Sequence, residues 1–231
     1  MAEQQEMFPG QGADRRSFSP VTPLVQMAQT MGFQPGSTDT VDVSRQRLHQ
    51  LGRAYQKRLG STKQSPALAR SYDALRAHIS PQFDAMGRAG VRTSFSDDFY
   101  TTPQALADDM RKGHFTTSQT TPDQSSAVLT DDENDKFRAV HDAFGHGISG
   151  RGFSPSDEMA AYQAHAQMLP KEAHRALFSE VVGQAAYWQT TGDFAPQTNN
   201  VVDMPRWARE GRDPAQHRRT YVSRAKQGRM F

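Results

Sequence analysis

The chain has 231 residues, 35% of them hydrophobic, with a mean hydropathy of −0.77 and a net charge of +2. That length suits one or two domains, and the low apolar content means that part of the chain lies outside a packed core. The absence of cysteine excludes disulfides, thiolate metal ligands and cysteine nucleophiles; no apolar run reaches membrane-spanning length, and the first residues do not read as a signal peptide.

Residues 1–43 are expected to form a flexible N-terminal arm. It carries one short helix from Thr22-Pro23, with Leu24, Val25, Ala28 and Met31, stopped by Gly32. Leu48, Leu51, Tyr55 and Leu59 then mark an amphipathic helix. The basic residues of its other face (Arg45, Arg47, Arg53, Lys57 and Arg58) suit either a solvated surface or contact with nucleic acid. Ser65-Pro66 opens the longest helix, striped by Leu68, Tyr72, Leu75, Ile79, Phe83 and Met86, and Pro81 is expected to kink or divide it. Gly90 closes it. A strand over Val91–Phe95, a short helix from Thr102-Pro103 and a second strand over His114–Ser118 follow.

The chemistry concentrates after Thr130. Thr130 and Glu133 form a capping box for a helix on which Phe137, Val140, His141 and Phe144 share the inward face. Gly145 is expected to end that helix, with His146 just beyond the last turn, so two imidazoles can converge on one point. Ser154-Pro155 opens a helix to about Leu169 that aligns Glu158, Tyr162 and His165. Pro170 opens another to about Thr190, with Ala173, Leu177, Glu180, Gln184 and Trp188 along one stripe. A carboxylate among apolar neighbours is costly to bury unless it is paired or binds a metal. Glu158, in the first turn of its helix, also complements the helix dipole, whereas Glu180 has no such role. The expected ligands are therefore His141, His146 and Glu180, with Glu158, His165 and Gln184 as substitutes or hydrogen-bonded supports. Asp142 is a candidate acceptor that orients His146. Two histidines and one carboxylate with open positions favour Fe(II), with Zn(II) or Mn(II) as alternatives.

His141-Asp-Ala-Phe-Gly-His146 resembles the His-x4-His iron-ligand segment of the aromatic amino-acid hydroxylases, and Glu180-Val-Val-Gly183 resembles the context of their ligand Glu. That likeness implies the same three ligands. It includes no counterpart of the pterin and substrate elements, so it does not carry the hydroxylation chemistry. A longer pattern runs through Asn134–His146, Glu158, His165-Ala-Gln-Met168 and Glu180-Val-Val-Gly-Gln184, and extends back to about Pro66. It is similar to a group of uncharacterised phage and prophage proteins, which implies a phage virion or a bacterial host cytoplasm and no established activity.

Two other site types are weighed against these. Gly145–Gly152 is rich in glycine but lacks the Gly-Lys-Ser/Thr ending of a phosphate loop. An HD-type phosphohydrolase would pair His141-Asp142 with distant groups such as His114 and Asp193. The expected fold is α+β and mainly α: a helical core over residues 44–190, a two-stranded element, and a tail over 191–231. Residues 206–231 hold eight Arg or Lys against two acids, which suits attraction to nucleic acid or to virion proteins. An oligomer is compatible with all of this. The function so read is a metal-dependent enzyme, oxygenase-like or hydrolytic, or else a non-catalytic phage component with a structural His/Glu cluster.

Overall fold

The computed structural model describes residues 18–36, 43–59, 65–96, 100–122 and 128–193, together with residues 195, 202 and 205. The protein is mainly helical with one small sheet, as expected. Residues 1–17 of the expected arm and residues 206–231 of the expected basic tail lie outside the described residues.

The spine is α3 (Pro66–Arg88), capped by Ser65, whose hydroxyl accepts from the Leu68 amide at 3.3 Å. It runs unbroken through Pro81, so the expected division does not occur. Its stripe is long enough to serve two apolar clusters. Leu68, Tyr72, Leu75 and Ile79 belong to the first, which gathers α2 (Arg45–Gln56) and the helices of the C-terminal half. Met86 belongs to the second, beneath α1 (Thr22–Thr30) and α4 (Pro103–Arg111).

α1 falls within the stretch expected to be a flexible arm. Its Leu24 and Ala28 are nevertheless completely buried, in one cluster with Met110 and Phe144. The small apolar stripe noted in the sequence is thus a docking face. Strands β1 (Arg92–Phe95) and β2 (His114–Thr117) pair in parallel, Arg92 opposite His114 and Phe95 opposite Thr117. α4 makes the crossover that parallel pairing requires. Alternation along β2 turns Phe115 and Thr117 inward.

α5 (Asp131–His141) begins with the predicted capping box, in which both Thr130 and Glu133 engage their reciprocal backbone amides. It continues without interruption into a π-helical turn, Asp142–Gly147. α6 (Pro155–Ala166) starts at the predicted Ser154 cap and is buried almost all round. The last helical run is continuous but changes winding. A 3₁₀ turn at Lys171–Ala173 leads into α7 (His174–Phe178), a second π turn over Ser179–Gly183, and α8 (Gln184–Thr191). Among the described residues no helix is long and apolar enough to cross a membrane.

Candidate metal centre

His141 and His146 are five positions apart, a spacing that an α-helix splays. At 3.6 residues per turn, five residues rotate by about 500°, leaving the side chains about 140° apart. The wider winding of the π turn closes that gap, a device frequent at functional sites. Gly145 therefore does not end the helix, as the sequence suggested; it lies within the π turn. Its role is steric. A Cβ at Gly145 would lie 2.8 Å from His141 Cε1 and 2.9 Å from His141 Nδ1, so only glycine lets the imidazole rest against the backbone.

The two rings meet edge to face, with centroids 4.9 Å apart and planes at 79°. The first turn of α6 brings the carboxylate. Glu158 Oε2 lies 3.4 Å from His141 Nε2 and 3.4 Å from His146 Nε2. Among the described residues, His141, His146 and Glu158 form the group whose ligand atoms all lie within 4.8 Å of one another. These separations are long for charge-assisted hydrogen bonds, which run at about 2.7–2.9 Å. They suit the edge of a coordination shell: two donors each about 2.0–2.1 Å from one ion, in tetrahedral array, sit about 3.4 Å apart.

Glu158, not Glu180, is thus the carboxylate beside the histidines. Glu180 is buried elsewhere in the core, where it accepts from the Tyr72 hydroxyl and, at 2.6 Å, from the Gln184 side-chain amide. Gln184 accordingly supports Glu180. Both tyrosines beside Glu180, Tyr72 and Tyr55, have their pKa raised above the ordinary value, by burial first and by the carboxylate second.

The surroundings fix the histidines' tautomers unequally. His146 Nδ1 is 3.1 Å from the Arg151 carbonyl, to which a protonated Nδ1 donates, leaving Nε2 to face Glu158. That carbonyl takes the orienting role expected of Asp142. Asp142 instead accepts from the Thr117 hydroxyl at the end of β2. Burial raises the pKa of Asp142, with the nearby histidines opposing. His141 Nδ1 is buried without a hydrogen-bond partner.

His165 is not among the converging donors. It is fully buried, its ring stacked 5.7 Å from that of His141, with Nε2 3.0 Å from Gln82 Oε1 and Nδ1 unpartnered. Burial, then the neighbouring histidines, depress its pKa well below the ordinary value, so it is a neutral wall of the site.

The electrostatics of the cluster favour positive charge. Burial by itself would lower the pKa of His146, but Glu158 and Asp142 outweigh it and raise the value to about 9. Burial would raise that of Glu158, but the two imidazoles pull it down to about 2. Without a metal, this pocket of negative potential holds a proton on His146. A divalent ion can take that proton's place. Access exists on one side: the side chains of Glu158 and His141 are 14% and 11% exposed, whereas that of His146 is 1% exposed.

The partners proposed for an HD-type site do not join it. His114 is exposed at the start of β2, beside Asp109, and Asp193 is exposed just past α8. The glycine-rich segment 145–152 begins within the π turn and includes His146 of the cluster.

No protein-family model, curated protein or solved structure matches this chain significantly.

Proposed function

We propose that this protein is a divalent-metal-dependent enzyme whose ion is held by His141, His146 and Glu158. The observation that carries the proposal is the convergence of two imidazole nitrogens on one carboxylate oxygen at tetrahedral-edge spacing. Three protein donors leave coordination positions for water or a substrate, as in catalytic sites, whereas structural ions are usually enclosed by four. Two histidines and one carboxylate favour Fe(II), with Zn(II) or Mn(II) the alternatives. When bound, the ion would supply Lewis acidity and activate a small oxygen-bearing molecule. The chain's own part is to keep Nε2 of both histidines turned toward the ion and to wall the site with His165, Phe137 and Phe153. Phe153 packs 4.6 Å from the His146 ring, and Phe137 stacks 6.2 Å from the rings of both His141 and His165. The likeness of Asn134–Gln184 to phage and prophage proteins supports an origin in a phage or its bacterial host.

The test is elemental analysis of untagged protein after anaerobic addition of Fe(II), Mn(II) and Zn(II), followed by assays of oxygen consumption and ester or phosphoester hydrolysis. One equivalent of metal that His146→Ala abolishes is the expected result. Absence of metal under all three conditions would overturn the proposal.

A further inference from the structure

α2 has two unlike faces. Leu48, Leu51 and Tyr55 are buried, and Gly52 lies so close to α8 that a Cβ would overlap the Ala186 carbonyl and the Thr190 side chain. This close approach fixes the helix firmly and leaves one arc outward. That arc carries Arg45, Gln46, Gln50, Arg53, Gln56 and Lys57, all exposed.

α2 combines several basic residues with no acid. Other helices carry their own counterions: Asp73 pairs with Arg76, Asp108 with Arg111, Asp109 with Lys112, and Asp132 with Lys136. Residues 43–59 contain five Arg or Lys and no Asp or Glu.

A second basic segment follows later in the sequence. Val202 is buried in the same apolar cluster as Leu51 and Tyr55, and its amide donates to Ser179 Oγ at 3.3 Å. Ser179 opens the π turn whose Gly183 abuts Tyr55. A few residues later comes the stretch 206–231, with a net charge of +6. The two segments together hold eleven positive charges in excess against a total of +2, leaving the remainder of the chain at −9. Segregation of this kind is the electrostatic footprint of a polyanion partner.

We propose that the outward face of α2 docks the phosphate backbone of a nucleic acid. Arg45, Arg53 and Lys57 contact phosphates, and the three glutamines donate to phosphate or sugar oxygens. From Arg45 to Lys57 the helix rises about 18 Å at about 1.5 Å per residue, enough to follow several phosphates. A lipid surface fits less well, because a membrane-surface helix turns its apolar side outward and α2 turns its apolar side toward α8.

The experiment is fluorescence anisotropy of the full chain with a labelled mixed-sequence 25-base-pair DNA duplex, across salt concentrations. Three outward changes, Arg45→Gln, Arg53→Gln and Lys57→Gln, are combined in one variant, with metal content and melting temperature as controls for folding. Wild-type protein should bind with steep salt dependence. The triple variant should bind at least tenfold more weakly. Its log–log salt slope should be shallower by about 2–3, because each phosphate that is no longer neutralised takes roughly 0.9 off the slope. Three results would overturn the proposal: wild-type failure to bind at low salt, an unchanged slope in the variant (the C-terminal segment acting alone), or retention on phosphatidylserine vesicles without DNA binding.

Discussion

Among the described residues there are two π-helical turns, each with a carboxylate at hand, and the two clusters have opposite characters. Around Ser179–Gly183, Glu180 is engaged by donors from its own helical run and from α3, namely Gln184 and Tyr72. Around Asp142–Gly147, the donors are nitrogens held near hydrogen-bond range but too far for short bonds, and His141 Nδ1 has no partner at all. Buried polar groups that satisfy one another stabilise a core and specify it. Buried groups left incompletely satisfied call for another explanation, such as a ligand. The same backbone device thus carries a self-satisfied cluster in one place and an incompletely satisfied one in the other.

The sharpest break between the two clusters is in metal content. His141→Ala, His146→Ala or Glu158→Gln should lower metal affinity at least 100-fold, beyond the 10–100-fold typical of groups that merely support ligands; isothermal titration with Zn(II) measures this. Glu180→Ala should leave the metal stoichiometry intact. It should instead cost about 1–3 kcal/mol in denaturant unfolding for each donor left without an acceptor. Metal loss in Glu180→Ala, with retention in Glu158→Gln, would reverse the assignment.

Gly145→Ala should act on both properties. Displacing the His141 ring costs about 1–3 kcal/mol of overpacking strain and weakens metal binding, without removing any ligand atom. Its far-ultraviolet circular dichroism should remain that of a helical protein.

Stability should also depend on pH. In metal-free protein, the raised pKa of His146 contributes stability fully present below its ordinary 6.5 and lost as pH rises through about 9. The lowered pKa of Glu158 contributes stability present above its ordinary 4.5 and lost as pH falls through about 2. The cluster's contribution should therefore be greatest between the two ordinary values and decline on either side, and thermal melts in EDTA can follow it. Metal affinity should instead rise with pH through neutrality, because the ion competes with the His146 proton.

Local signals in the sequence carried most of the fold. Thr130 with Glu133, Ser154-Pro155 and Thr102-Pro103 mark helix starts within a few residues of the caps that satisfy them, and the structure has all three. The two histidines were legible for the same reason, sitting on a short periodic segment. The carboxylate was not. Glu180 is accounted for by Tyr72, 108 positions away, and no local pattern reports such a partner. Glu158 was masked by a true but incomplete explanation, since a first-turn acid suits the helix dipole and here also faces two imidazoles. The π turn was hidden because a glycine after an apolar helical stripe is the ordinary mark of a helix end. Only the tight fit between Gly145 and the His141 ring reveals what that glycine permits.

The five-residue spacing has one further consequence. His141 and His146 meet only while Asp142–Gly147 keeps its wide winding, so binding an ion and maintaining that winding are linked equilibria. An ion that prefers the wound form must suppress local opening in proportion to its occupancy. Amide hydrogen exchange over residues 143–148 should slow as metal is added, whereas exchange around the self-satisfied turn at Ser179–Gly183 should hardly change.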